Sequence, residues 1–458
     1  MIVARRRKGL IVLAVGLALA GSLWLVFRAS SDAPSRYNVV VVSACSLRPD
    51  RLGVYNPSVS LTPKIVEWAK GAYIVSNAIA EKPWQNFTYE ASSVITREVL
   101  SSNGYVGFPK RQTGTQFIIP PTTQSASGEW YWSEKAILHY HESLDELEGA
   151  FLQQKRSPFY AFIHLKYMHY PYFDDVNMGQ EEWARLQPTS RELLEKYRHH
   201  PESFDEKLPL IELLLNDFTL AQKKMKIKDE VLSVAGIVSD PMRAAKWRKH
   251  PDYEGDLNLA KELYDLKIER FDLIAEEVLT LFGSKKLQEN TVVIFTGDHG
   301  EAFMEHGVLG HSVNVYDEML RYPLMVKFPG GAVRGGRLDH QINHARMAEV
   351  VRGIVEGRVN ADNFVEVMNE KSSEYLLSRN CANTMRSVRF RSEWKLIKNL
   401  ESGKDELYNL KTDAMEQHNV IDSHADMAWR LEEYLIDHQE TLQKTTFHEN
   451  RASVCKTY

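Results

Sequence analysis

The stretch Thr291-Val292-Val293-Ile294-Phe295-Thr296-Gly297-Asp298-His299-Gly300-Glu301 decides the fold. Its first six residues are apolar or β-branched with no polar alternation, the pattern of a strand covered on both faces. It then breaks into Gly-Asp-His-Gly-Glu, where glycines let the backbone turn and two adjacent side chains can ligate a metal. Working outward, Tyr37–Val42 and Phe159–Ile163 read as further buried strands, and Leu324–Phe328 as another. Thr62-Pro63 opens a predicted helix through Ala69, with Thr62 as N-cap and Pro63 in the first helical position. Residues 181–287 are charge-rich and helical in pattern, an insertion between strands. Strands separated by helical stretches predict an α/β fold: a mostly parallel sheet flanked by helices. Ser387–Phe390, Trp394–Lys398 and Glu406–Leu410 read as short strands joined by tight turns, followed by a helix over Ala425–His438. These predict a main domain over residues 37–380 and a small antiparallel C-terminal subdomain over 381–458.

The N-terminus has a different character. Arg5, Arg6, Arg7 and Lys8 precede an uncharged run, Gly9–Phe27, closed by Arg28. As a helix this run is about 28 Å long, near the hydrocarbon thickness of a bilayer. The basic flank predicts a single-pass anchor, residues 1–29, with a cytoplasmic tip and the main domain on the periplasmic or extracellular side. A cleaved signal peptide is the rival, since Ala18-Leu19-Ala20 resembles a peptidase site. Residues 30–36 form a polar linker. Residues 1–28 carry five basic side chains and no acidic one, which leaves 51 basic against 61 acidic residues in the body. A body of that charge is no nucleic-acid partner. At 43% hydrophobic and 26% charged, the chain is no disordered or fibrous protein. Its three cysteines, Cys45, Cys381 and Cys455, allow one disulfide at most.

Ligands of open α/β sheets bind beyond the carboxyl ends of the strands, so the segments after Val42 and Thr296 matter most. After the second come Asp298-His299, then Glu305-His306-Gly307 and Gly310-His311. Thr296–Glu301 with Gly310-His311 and Val315–Leu324 resembles the second metal-binding segment of the sulfatases, within the alkaline phosphatase superfamily. Asn38–Val42 with Leu47–Gly53 is similar to that family's first strand and loop. Ala161–His164 with Met168–Tyr172 resembles its mid-chain His-x-Pro-Tyr segment. Trp394–Ile397, Glu406–Leu410 and Glu416–Asn419 resemble its C-terminal subdomain. The likeness runs in order from about Tyr37 to Gln439. It implies a sulfatase or alkaline-phosphatase-like fold and hydrolysis of a sulfate or phosphate ester with a divalent metal (zinc, calcium or magnesium). By position it implies Asp298 and His299 as metal ligands, and His311 and His169 as contacts to the anionic group or the leaving oxygen.

Departures from the family pattern divide the functional reading. Cys45 stands where the family has a metal-binding Asp. A thiolate ligates zinc but binds calcium or magnesium poorly. A buried Cys with no ligand role is the alternative. The formylglycine motif Cys-x-Pro-x-Arg is absent. An ungapped match puts Asn86, which cannot attack, at the nucleophile position, and a two-residue shift makes Thr88 the candidate, or an N-cap instead. Glu90 stands where the family often has a basic residue. The two readings are therefore a membrane-anchored hydrolase or transferase for anionic esters, of glycans or lipid head groups, and a degenerate sulfatase-fold protein that binds without hydrolysis.

Overall fold

The computed structural model describes residues 36–83, 94–95, 97–104, 106–108, 116–118, 123–124, 130–131, 158–168, 172, 179–199, 245, 248–282, 289–329 and 335–438. The predicted anchor, the linker up to residue 35, Asn86, Thr88, Glu90, His169 and Cys455 lie outside these residues. Among the described residues, no helix is long and apolar enough to cross a membrane.

Strands β1 (Asn38–Ala44), β2 (Tyr73–Ala78), β3 (Val106–Phe108), β4 (Gln116–Ile118), β5 (Phe159–Leu165), β6 (Thr291–Gly297), β7 (Leu324–Lys327) and β8 (Gly336–Ile342) form one sheet. Its order is β8-β2-β7-β6-β1-β5-β3, with β4 also paired to β5. The three apolar runs that signalled a core sit side by side: β1 pairs in parallel with β6 and with β5. β7 is antiparallel to both its neighbours, β6 and β2, so the strand expected over Leu324–Phe328 exists but runs against the sheet.

Successive β1 residues face opposite layers. Val40, Val42 and Ala44 pack with Leu259, Leu263 and Phe271 of the helix Tyr253–Leu281. Val39 and Val41 pack with Met347, Val350 and Ile354 of the helix His344–Val355. All four valines are fully buried, which is why the strand sequence shows no polar alternation.

The helix Pro63–Trp68 begins where expected, but Thr62 does not cap it. The Thr62 hydroxyl instead accepts a hydrogen bond from Gly53 N–H at 3.0 Å. The orphan amides of Lys64 and Ile65 donate to the Asp272 carboxylate, at 2.9 and 2.8 Å, so the cap comes from the long helix. Within the expected insertion, Gln180–Arg185, Pro188–His199 and Tyr253–Leu281 are helical.

The C-terminal sheet is antiparallel and four-stranded. Tyr375–Arg379, Met385–Phe390, Trp394–Asn399 and Glu406–Asn409 pair in sequence order, so the sheet starts upstream of the boundary expected at 381. The helix Ala425–Asp437 covers one face through Ala428, Leu431 and Leu435. A buried charge cluster joins this sheet to the main domain. Arg389 grips both oxygens of Asp317, at 2.7 and 2.5 Å. Lys395 bridges Asp317 at 2.8 Å and Glu416 at 2.7 Å.

Candidate metal centre and active site

Ala44 and Gly297 are the last register partners of β1 and β6, so both strands release their chains at the same height. The next residues, Cys45 and Asp298, therefore emerge side by side. Asp298 N–H donates to the Ala44 carbonyl at 3.0 Å, and Cys45 N–H to the Leu165 carbonyl at 3.0 Å. Cys45 Sγ, a carboxylate oxygen of Asp298 and a ring nitrogen of His299 all lie within 4.8 Å of one another, and all three residues are buried.

Local geometry fixes each donor. Asp298 Oδ1 accepts from Ser46 N–H at 2.8 Å and from His299 N–H at 2.7 Å. Ser46 reaches this pose at φ 52°, a left-handed conformation that side chains seldom adopt. His299 Nδ1 lies 2.7 Å from the Gly300 carbonyl, which can only accept, so Nδ1 carries the proton and Nε2 keeps its lone pair. Gly300 is required here. A Cβ would sit 2.1 Å from the Glu318 carbonyl oxygen.

Burial opposes the Asp298 charge, but the His299 and His164 rings and hydrogen bonds from the Cys45 side chain and Ser46 N–H hold its carboxyl below the ordinary range. Burial pushes the His299 imidazole down, against the pull of Asp298. His311 goes the other way. Burial disfavours its charge, but the fully buried Glu301 raises it, with Nδ1 at 3.0 Å from Glu301 Oε2. The His299 and His311 rings lie 4.4 Å apart, centroid to centroid. One imidazole is thus held neutral beside one that favours its proton.

Glu301, Arg48, Tyr264 and His164 complete the surroundings without having been assigned roles from sequence. Arg48 is buried and paired with Asp50 and Glu305, and its Nη1 donates to the Glu301 carbonyl at 3.0 Å, tying the two loops together. Tyr264 O–H donates to the Ser46 carbonyl at 2.7 Å and accepts from Arg48 N–H at 3.1 Å. His164, at the end of β5, lies 3.3 Å from the Ser43 hydroxyl. Glu301 had a usable signal, a carboxylate inside a glycine-framed His loop. Tyr264 had none, since it reaches the site from a distant helix. A cleft of about 220 Å³ opens beside Arg48, Arg51, Tyr264 and Phe303; none of the three donors lines it.

The sulfatase family model matches residues 82–355, more than half of the chain. The chain belongs to the sulfatase family. It is 26% identical over 169 residues to the uncharacterized sulfatase YidJ of Escherichia coli K12, covering 34% of this chain and 33% of that protein. It is 22% identical over 317 residues to an ulvan-active sulfatase of Formosa agariphila, covering 65% of this chain and 57% of that one. The chain thus spans between a third and three fifths of the length of these curated sulfatases. Among solved structures, a 2-O GAG sulfatase superposes with a TM-score of 0.59 at 15% identity, over 90% of this chain and 93% of the other. The phosphonate monoester hydrolase of Agrobacterium radiobacter superposes with a TM-score of 0.55 at 14% identity, over 89% and 96%. Identities this low speak to the fold, a mostly parallel sheet flanked by helices with an antiparallel C-terminal sheet.

Proposed function

We propose that this sulfatase-family chain is a hydrolase or transferase for anionic esters, sulfate esters first and phosphate esters second. The observation that carries the reading is the convergence of Cys45, Asp298 and His299 on one buried point beside the His311–Glu301 pair. A divalent metal held by these three residues would draw charge from the ester oxygens and lower the pKa of the attacking group. Asp298 supplies an ionised carboxylate oxygen, and His299 an unprotonated Nε2. His311, whose hold on its proton Glu301 strengthens, donates a hydrogen bond to the anionic group or a proton to the leaving oxygen. His169 is the second contact to the ester, and the Thr88 hydroxyl is the attacking group. A glycan sulfate or a lipid head group is the proposed substrate, with the chain anchored in the inner membrane by residues 9–27 and the body outside the cytoplasm. The ulvan-active relative and the 2-O GAG sulfatase support the glycan choice.

The test uses aryl sulfate and aryl phosphate hydrolysis together with elemental analysis of the purified chain. The expected result is near-unit divalent metal and hydrolysis in the wild type, with both lost in Asp298→Asn, and sedimentation of the full chain with membranes. A metal-free wild type as inert as the variant overturns the enzyme and favours the second reading, a binding protein that has given up hydrolysis. Cys45 in place of a carboxylate is the observation on that side.

A further inference from the structure

We propose that Cys45 makes this centre selective for zinc-class metals over calcium and magnesium. This rests on the metal site just described and narrows its occupant. Three donor types meet there: a thiol, a carboxylate and an imidazole. Thiolate and imidazole suit zinc, whereas calcium takes six to eight oxygens and magnesium an octahedron of them. Among the described residues, the group holds a single carboxylate, Asp298.

The backbone hydrogen bonds at the site fall on Asp298 Oδ1 and His299 Nδ1. Asp298 Oδ1 is occupied by two backbone amides, so Oδ2 is the oxygen that faces His299, 3.7 Å from Nε2. Bond lengths of about 2.0–2.3 Å to zinc place tetrahedral donors about 3.3–3.8 Å apart. The oxygen and nitrogen already stand at that spacing. The sulfur lies within 4.8 Å of a carboxylate oxygen of Asp298 and of a ring nitrogen of His299, so a shift of about an ångström brings it to the spacing of donors that share one ion. On binding, the Cys45 S–H bond breaks, its proton passes to solvent, and the sulfur lone pair forms the bond to the metal.

Cobalt(II) is the probe, because a sulfur ligand gives it a charge-transfer band in the near ultraviolet and neither oxygen nor nitrogen does. The purified chain is stripped of metal and titrated with cobalt, zinc, calcium and magnesium, in wild type, Cys45→Ser and Cys45→Asp. The expected wild type binds one cobalt with the sulfur band, and zinc displaces it while millimolar calcium or magnesium does not. Cys45→Ser, a change of one atom, keeps its circular dichroism, loses the band and binds zinc at least tenfold more weakly. Cys45→Asp gains affinity for magnesium or calcium. Cobalt bound without a sulfur band, zinc affinity unchanged in Cys45→Ser, or calcium outcompeting zinc in the wild type overturns the proposal. The outcomes separate it from the functional reading. A zinc-loaded but inert chain keeps the metal inference and loses the enzyme; a calcium-driven esterase does the reverse.

Discussion

At the scale of single residues, the site works by tying one polar atom of each donor to the backbone. Asp298 spends one oxygen on the backbone and keeps the other, and His299 spends Nδ1 on Gly300 and keeps Nε2. Glu301 is the residue whose removal reports most directly on this economy. It is fully buried and holds His311 above the ordinary histidine range after burial has worked against it. In Glu301→Gln the opposing charge is gone and the shape is kept, so the His311 pKa falls. Nuclear magnetic resonance titration of the His311 ring measures this, and an unchanged midpoint would show that Glu301 does not set its charge. The alkaline limb of any hydrolysis profile, where His311 gives up its proton, should move to lower pH with it. The Asp298-His299 pair was legible in sequence because two ligating side chains directly follow a run that has to be buried. Cys45 was legible as a position, but no pattern could say that its sulfur would lie within reach of a carboxylate over 250 residues away.

At the scale of elements, capping across the fold replaces capping along the chain. The first turn of Pro63–Trp68 hangs on Asp272 of the long helix, through two backbone amides. Asp272→Ala leaves the buried Ile65 amide and the half-buried Lys64 amide without their acceptor, a loss of about 1–2 kcal/mol. Urea unfolding should show a lower midpoint with an unchanged slope. A midpoint equal to wild type would mean that water replaces the carboxylate. Thr62-Pro63 announced the start of this helix correctly, because a fixed proline φ is a local property; its capping partner is not local and left no mark in the sequence. The same division holds among strands. β1, β5 and β6 were readable because both faces are covered. β8, with its Gly-Arg-Leu-Asp-His-Gln-Ile sequence, is half-exposed and lacks the apolar run that marked the others. The reversed direction of β7 has no signature at all, since a buried strand looks alike from either end.

At the scale of the whole molecule, the main domain and the C-terminal sheet meet through buried charges, and this junction is sensitive to pH. Burial pushes the Glu416 carboxyl up to about 7 from an ordinary 4.5, against the pull of Lys395. Burial opposes the charge on His306, but Glu318, 2.9 Å from Nδ1, raises it above 6.5. Both groups hold a proton more tightly folded than unfolded. Their contribution is therefore full below their unfolded pKa values and is lost as pH rises, for Glu416 between 4.5 and about 7. Asp317, held low by Arg389 and Lys395 despite its burial, works in the opposite sense: its contribution is full above its ordinary 3.8 and is lost only as the pH falls below that. Melting temperature should thus decline from about pH 5 to pH 8, and Glu416→Gln should flatten much of the decline. Parallel curves for wild type and variant would assign the slope elsewhere.

The shared end register of β1 and β6 has a consequence for how such a centre changes over generations. Because the sheet sets the height at which Cys45 and Asp298 leave it, either side chain can be exchanged without moving the other. A thiol can therefore stand where an acid would serve and still present its donor at the same point. Gaining or losing a single residue in either strand would turn every following side chain to the opposite face. The centre is open to rewriting letter by letter and closed to changes in spacing.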